Sequence, residues 1–316
     1  MPWDPAPAPG ADGGRDPERR TGSDGARRGA GVRTSRVGIV RGLWGASHPG
    51  PTLVVSALAL ALGLAVSLEA WRLVLLTLAV FAGQLSVGIS NDAFDAVRDH
   101  AVGRRDKPIA RGDIRVGQAS SAAFTALAAA LLLSAPLGWR MLALHALVLG
   151  SAWSYNAGLK ATSASIVPFL LSFGAFPSLA TLSAPDPAVA AGWAWIAGAA
   201  FGAAVHLTNV LPDLDDDART GIRGLPHRLG GRVSATMAAI AVVGGAVAVL
   251  LGPTDGDIST IPPLSWIFFT GVVAVAVVTV IRALVRPPGR ILFRLVMGAA
   301  LLLAAQLVAS GSALAA

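Results

Sequence analysis

Two acid-rich segments, each directly after an apolar stretch, contain the residues best suited to chemistry. They span residues 90–99 and 209–221, and together they hold seven of the 18 acidic residues. Carboxylates beside lipid are costly, so their presence there indicates function. At about 100° per residue, Asp92, Asp95 and Asp99 would share one face of a helix. Such neighbouring carboxylates repel one another unless a cation lies between them.

The second segment repeats this arrangement with Asp213 and Asp217 one helical turn apart and Asp216 beside them. Mg²⁺ prefers oxygen ligands and usually binds through one or two carboxylates together with substrate phosphates. Two aspartate sets on opposing helices would therefore hold Mg²⁺ on one diphosphate leaving group. Asn91 and Asn209 begin the segments and would ligate metal or orient a carboxylate. The candidate cations that would neutralise the leaving group are Arg104, Arg105, Lys107, Lys160 and Arg223.

Other residue types narrow the possible chemistry. The chain has no cysteine, which excludes thiolate metal sites and cysteine nucleophiles. No ligand role is predicted for the histidines, which lack metal-ligand spacing: His48, His100, His145, His206 and His227. Aromatic faces would stabilise a carbocation, with helix packing as the alternative role, and the candidates are Phe94, Trp153, Tyr155 and Phe173. A single acidic segment would be explained by solvent-exposed charges at a helix end. Two segments with the same layout favour a functional site instead.

The elements that position these residues are apolar helices. The chain is 54% hydrophobic and 14% charged, with a mean hydropathy of +0.63, which is typical of a polytopic membrane protein. Because Pro212 disfavours a helical residue before it, the sixth helix is predicted to break just before Asp213. Apolar runs of about 20 residues predict nine transmembrane helices, at about 51–69, 72–90, 118–135, 138–155, 164–183, 189–210, 232–252, 264–284 and 291–311.

The basic residues predict the orientation of these helices. With the N-terminus inside, only Arg72 and Arg140 of the 25 Lys and Arg fall on the outside. Both acidic segments then lie on the cytoplasmic side and the C-terminus lies outside. This asymmetry also accounts for the net charge of +7 without a nucleic-acid partner. Residues 1–40 are predicted to be a disordered basic tail, and residues 41–316 to be the membrane domain.

An internal repeat relates the two acidic segments. They end the second and sixth predicted helices, four helices apart, and each precedes a loop that contains basic residues. This layout indicates a four-helix unit used twice in the same orientation, followed by one further helix. Membrane proteins with internal repeats place their sites at the repeat interface. The two aspartate sets would therefore face each other across a central cavity.

The motifs resemble those of the UbiA superfamily of intramembrane prenyltransferases. The first segment matches the Asn-Asp-x-x-Asp-x-x-x-Asp motif at Asn91, Asp92, Asp95 and Asp99. The second matches the Asp-x-x-x-Asp motif at Asp213 and Asp217, with Gly221 at the expected offset. Further similarities are the Lys107–Gly112 stretch, the Tyr155 and Lys160 pair, and the Leu225–Gly230 stretch. The resemblance covers about residues 40–311.

This resemblance implies an all-α polytopic membrane protein with nine helices around a central cavity and cytoplasmic cap loops. It implies Mg²⁺-dependent transfer of a polyprenyl group from its diphosphate to an aromatic or other hydrophobic acceptor in the lipid bilayer. The implied Mg²⁺ ligands and catalytic residues are Asp92, Asp95, Asp99, Asp213 and Asp217. The implied substrate-binding residues are Asn91, Arg105, Lys107, Tyr155, Lys160, Asn209 and Arg223. In the first helix, His48-Pro49 stands where many members carry Arg-Pro, on the acceptor side.

Two other functions fit parts of the pattern. The first is phosphoribosyl transfer from phosphoribosyl diphosphate to a polyprenyl phosphate, which the same aspartate motifs would serve. A phosphoribosyl donor requires a more basic pocket. The loop between the fourth and fifth predicted helices has the single basic residue Lys160, which disfavours this function. The second is secondary transport, which would place the coupling charges near the middle of helices. The acidic segments lie at helix ends, which disfavours transport.

Overall fold

The computed structural model describes residues 35–219, 221–287, 289–310 and 314, and the regular elements among them are helices. This confirms the predicted all-α fold. The α-helices are α1 (Arg36–Ala46), α2 (Pro49–Ala65), α3 (Ala70–Ala101), α4 (Pro108–Arg111), α5 (Val116–Ser134), α6 (Trp139–Ala157), α7 (Val167–Thr181), α8 (Gly192–Asn209), α9 (Leu214–Arg219), α10 (Leu225–Leu229), α11 (Gly231–Leu251), α12 (Pro263–Val285) and α13 (Arg290–Ser310).

Each of the nine predicted apolar segments corresponds to one long helix. Among the described residues, seven helices are long and apolar enough to cross a membrane, namely α3, α5, α7, α8, α11, α12 and α13. The pair α1 and α2, bent by 68°, counts as an eighth span if it is taken as one. Helix α6 contains Arg140, His145 and Asn156, which lower its hydropathy. Seven or eight of the nine predicted spans are therefore supported, and the remaining one or two stay predictions.

The long helices pack side by side in chain order. Helix α2 packs on α3, α3 on α5, α6 on α7, α7 on α8, α8 on α11, α11 on α12 and α12 on α13. Helix α13 also packs on α2, so the order closes on itself. The main core cluster contains many alanines, which let helices approach closely in lipid.

The outward faces of these helices are apolar. Large side chains such as Leu132, Ile240, Ile267 and Leu284 are exposed. An exposed apolar surface of this extent is typical of contact with lipid. Together with the apolar spans, it identifies the chain as an integral membrane protein.

The end of the bundle opposite the acidic segments is held together by the two basic residues predicted to lie outside. A guanidinium N–H of Arg72 donates to the Ser183 carbonyl (2.9 Å), and one of Arg140 donates to the Pro187 carbonyl (3.4 Å). Both carbonyls belong to the loop between α7 and α8. In the same region, the Leu314 carbonyl accepts from the Ala191 N–H (2.8 Å), so the C-terminal part lies at the start of α8, away from its acidic end.

The N-terminal boundary differs from the prediction. Residues 36–40, assigned to the tail from sequence, form the first turns of α1. They are ordered because Ile39 and Leu43 pack against the cluster that includes Ile89 and Ile114. Ser35 accepts a hydrogen bond from the Gly38 N–H (3.1 Å) and caps this helix. The rest of the predicted tail, residues 1–34, lies outside the described residues.

Candidate active site

The first acidic segment is part of one uninterrupted helix. Because α3 continues to Ala101, the spacing of three and four residues brings Asp92, Asp95 and Asp99 to one buried face, as predicted. In the described part of the chain, Oδ2 of Asp92 and Oδ2 of Asp99 are buried without a hydrogen-bond donor. A buried carboxylate oxygen without a donor is costly. These two atoms are therefore available to ligate a cation.

Asp92 is held by two side chains from outside α3. Nζ of Lys107 donates to its Oδ1 at 2.5 Å, and Nε2 of His48 lies 3.0 Å from the same oxygen. The two nitrogens are 3.3 Å apart. Lys107 precedes the short helix α4, and His48 joins α1 to α2. The junction between α1 and α2 and the loop after α3 thus converge on one carboxylate.

Asp95 lies between two basic residues. Lys160 donates to Oδ1, and an Arg98 guanidinium nitrogen lies 2.8 Å from Oδ2. Burial lowers the pKa of Lys160 from its usual value, while the Asp95 charge opposes this shift. The Tyr155-to-Lys160 stretch therefore reaches the first aspartate set, as its position between the acidic helices suggested.

The break predicted at Pro212 is confirmed and determines where Asp213 lies. Helix α8 ends at Asn209, a 3₁₀ turn covers Leu211–Asp213, and α9 follows. An Arg104 guanidinium nitrogen lies 3.1 Å from Oδ1 of Asp213. The same guanidinium makes two 2.9 Å hydrogen bonds to Asp106, which lower the pKa of Asp106 well below its usual range. Asp106 also pairs with Arg290 at 3.0 Å.

Arg98 connects the two acidic segments. Besides Asp95, its guanidinium lies 3.9 Å from Asp99 and 3.7 Å from Asp217 on α9. His227 approaches Asp217 from the other side, with Nε2 at 3.4 Å from Oδ2. Aspartates more than 110 residues apart in sequence therefore share one basic side chain. The side chain of Asp216 lies outside the described residues.

The segments that follow α6 and α9 also contact each other. The Leu225 N–H donates to Oγ of the buried Ser165 at 2.9 Å. A Cβ at Gly224 would lie only 2.5 Å from the Lys160 carbonyl oxygen, so this close approach requires glycine. The start of α10, the helix that carries His227, is thereby fastened to the loop that carries Lys160.

Four predicted site residues lie less centrally. Arg105 and Arg223 are exposed, and their carbonyls accept hydrogen bonds from Arg111 and Arg228. Asn209 is exposed at the end of α8, and Asn91 is half-buried on α3. In the described part of the chain, these four side chains have no hydrogen bond to an aspartate of the site. Their assignment as substrate-binding residues stays a prediction.

Sequence reasoning missed three residues that the structure brings to the aspartates. Arg98 lies inside the first motif, three residues after Asp95, and this spacing places it on the same helix face. His227 lies in the Leu225–Gly230 stretch that was noted only as a similarity. His48 was noted only where His48-Pro49 replaces Arg-Pro, because its contact with Asp92 depends on how α1 and α2 join.

The predicted aromatic residues divide into two groups. The Tyr155 ring makes an edge contact with Phe169 (centroids 5.0 Å apart), and Phe169 stacks with Phe173 (6.3 Å). These rings form a row that extends along α7 from the last turns of α6. Phe94 and Trp153 instead contact each other (6.1 Å), with Phe94 exposed, and the packing alternative accounts for both.

The donor set fits a metal ion that arrives with a phosphate group. Within the described ranges, no three Asp, Glu or His side chains converge closely enough to hold a metal by themselves. Mg²⁺ needs only one or two carboxylates when phosphate oxygens and waters complete its shell. The buried Oδ2 atoms of Asp92 and Asp99 are oxygen donors of that kind.

Comparison with known proteins identifies the fold. The sequence model described as the UbiA prenyltransferase family matches residues 50–294. The apo structure of a UbiA homolog from Aeropyrum pernix K1 superposes with a TM-score of 0.67 at 15% identity, over 81% of this chain and 97% of that one. A UbiA homolog from Archaeoglobus fulgidus bound to GPP and Mg²⁺ gives 0.63 at 14% identity, over 85% and 97%. No curated protein matches the sequence.

Proposed function

Because the chain belongs to the UbiA prenyltransferase family, we propose that it transfers a polyprenyl group from an allylic diphosphate to an aromatic or other hydrophobic acceptor within the membrane. The observation that carries this proposal is the Arg98 guanidinium, which lies beside both Asp95 and Asp217. This contact supports a diphosphate site formed by both acidic segments at one end of an apolar bundle.

Mg²⁺ is the proposed cofactor, and Asp92, Asp95, Asp99, Asp213 and Asp217 are its proposed ligands. The homolog from Archaeoglobus fulgidus that binds GPP and Mg²⁺ supports this choice. When bound, Mg²⁺ neutralises the charge that develops on the departing diphosphate. Carboxylates of this set would hold Mg²⁺ together with the diphosphate oxygens at the cytoplasmic end of the bundle.

Four basic side chains would bind the diphosphate itself. Lys107, Lys160, Arg98 and Arg104 already lie beside the aspartates and are charged donors suited to phosphate oxygens. Each is only partly exposed, so each is positioned at the edge of the site rather than in bulk solvent. Arg105 and Arg223, which lie farther out, would add long-range attraction.

The chemical step breaks the bond between the allylic carbon and the diphosphate oxygen, and the electron pair leaves with the diphosphate. The acceptor forms a new bond to that carbon and loses a proton. The row Tyr155, Phe169 and Phe173 would shield the allylic cation from water and stabilise it through the ring faces. The polyprenyl tail would lie among the apolar helices.

The active site and the N-terminus are proposed to face the cytoplasm, and the C-terminus the outside. The distribution of basic residues supports this orientation, as does the position of Leu314 at the end of the bundle away from the aspartates. Because the native chain has no cysteine, single substitutions Gly103→Cys and Asp257→Cys report each side directly. An impermeant maleimide added to sealed inside-out vesicles should label only Gly103→Cys, and the reverse pattern would refute the orientation.

The reaction is tested by following label from the donor into lipid. Purified protein with Mg²⁺ and an acceptor extract receives either radiolabelled prenyl diphosphate or radiolabelled phosphoribosyl diphosphate. Transfer from the first, abolished in Asp95→Asn and retained in the outer-loop control Asp257→Asn, supports the proposal. Transfer from the second instead would identify a phosphoribosyltransferase, and metal-dependent transfer from neither would refute the enzyme assignment.

A further inference from the structure

The junction between α1 and α2 holds its histidine in a strained backbone conformation. The two helices differ in direction by 68°, and His48 fills the junction with φ at 55°. This left-handed region is uncommon for any residue other than glycine. Such strain persists only where the surroundings fix the backbone, and it concentrates at functional sites.

The surroundings fix this junction against α3. A Cβ at Gly88 would lie 2.4 Å from the Ser47 carbonyl oxygen, so glycine is needed for this close approach. Ser47 is buried, and Pro49 and Pro51 restrict the first turn of α2. Gly88 lies one helical turn before Asp92 on α3. The backbone contact between Ser47 and Gly88 therefore determines where His48 lies along α3 relative to Asp92.

The side chain uses this position to contact one oxygen of Asp92. Its Nε2 lies 3.0 Å from Oδ1, the oxygen that also accepts from Lys107. With its proton on Nε2, the imidazole donates to Asp92. Oδ2 of the same carboxylate is buried and has no donor among the described residues. The carboxylate is thus fixed through one oxygen while the other is left for ligation.

We propose that His48 is a positioning residue, which orients Asp92 so that Oδ2 faces the cation bound with the diphosphate. This inference rests on the proposed function, because it assumes that Asp92 is a metal ligand. Side chains that orient a ligating carboxylate raise metal affinity without touching the metal. The required group is a single N–H at the place of Nε2.

Side chains of different reach separate this role from simple packing. A glutamine in place of His48 would carry an N–H near the place of Nε2, whereas asparagine reaches only to the place of Nδ1 and alanine has no donor. Binding of Mn²⁺ in the presence of inorganic diphosphate is measured by electron paramagnetic resonance on the purified full-length protein. We expect His48→Ala and His48→Asn to weaken Mn²⁺ binding about tenfold, and His48→Gln to bind within about twofold of the native protein.

Kinetics supply a second readout. In His48→Ala, the Mg²⁺ concentration for half-maximal turnover should rise in parallel with the Mn²⁺ dissociation constant, whereas the KM for prenyl diphosphate at saturating Mg²⁺ should not change. His100→Gln, at an exposed position on α3, is the matched control and should bind Mn²⁺ as the native protein does. His48→Gly relieves the strained φ, so a loss equal to that of His48→Ala would exclude backbone strain as the cause.

Asp92→Asn distinguishes the positioning role of His48 from the metal site itself. If it weakens Mn²⁺ binding while His48→Ala does not, the positioning role is refuted and the metal site stands. If neither variant changes Mn²⁺ binding, the proposed metal site itself is refuted. Equal losses in His48→Gln and His48→Ala would also overturn the inference, because the N–H at the place of Nε2 would then be irrelevant.

Discussion

The two acidic segments carry the same residue type on very different supports. The first lies within a 32-residue helix, and the side chain of Asp92 is 1% exposed. The second follows a helix break and lies on a 3₁₀ turn and the six-residue α9, where the side chain of Asp213 is 35% exposed. A continuous packed helix holds its side chains in place, whereas a short helix between breaks moves more easily. The first set is therefore the fixed half of the site and the second the adjustable half.

The two aspartate sets also differ in which parts of the chain contact them. The first set is contacted by residues from several loops, namely His48, Lys107 and Lys160. The second set is contacted by Arg98 and Arg104, which belong to the first segment and the loop after it, and by His227 on α10. The position of the second set therefore depends in part on the first half of the chain.

Substitution of one aspartate in each set should lower activity strongly in both cases and stability to different extents. Asp95→Asn removes the partner of two basic groups, so we expect turnover to fall by roughly a thousandfold and stability by about 3–5 kcal/mol. Asp213→Asn should also reduce turnover by roughly a hundredfold, but with a smaller change in the thermal midpoint. Release assays and thermal melts of the same preparations test this, and equal destabilisation by both variants would contradict the comparison.

Removing the helix break tests whether the second set needs its irregular support. Pro212→Ala should let α8 continue and turn Asp213 away from Arg104, which lowers kcat by roughly tenfold to a hundredfold. Helix content by circular dichroism should stay the same or rise. Pro187→Ala in the outer loop is the control and should keep native kcat. Native activity in Pro212→Ala would show that the break has no role in positioning.

The sequence predicted the fixed half of the site better than the adjustable half. The spacing of Asp92, Asp95 and Asp99 depends only on helical periodicity, and α3 has it. The break at Pro212 was also predicted, since proline acts on its immediate neighbours. The partners of the second set were not, because the contact of Arg104 with Asp213 crosses more than 100 residues. Arg72 and Arg140 are the two basic residues that the predicted topology places on the outside. Their hydrogen bonds to loop carbonyls explain this position.

Two neighbouring arginines are expected to contribute unequally to substrate binding. Arg104 lies beside Asp213, whereas Arg105 is exposed and its side chain contacts no aspartate of the described site. Loss of a charge-assisted hydrogen bond costs about 1.5–3 kcal/mol, so Arg104→Gln should raise the KM for prenyl diphosphate by roughly tenfold or more. Arg105→Gln should change it by less than about twofold at physiological salt. Equal effects from the two variants would show that general charge, not position, determines binding.

The smallest expected effect concerns the ion pairs that brace Arg104. Asp106 binds Arg104 through both oxygens, and Arg290, which is 63% exposed, binds Asp106 from outside. Exposed pairs contribute about 0–1 kcal/mol, so Arg290→Gln should leave the KM nearly unchanged and any change should vanish in high salt. Asp106→Asn should raise the KM by a few fold, because it releases the guanidinium that faces Asp213. Since Arg104 lowers the pKa of Asp106, the native brace should persist as the pH falls through the usual carboxylate range and be lost only below it. The KM of the native protein is measured down to about pH 4. If it rises to the value of Asp106→Asn, this role of Asp106 is refuted.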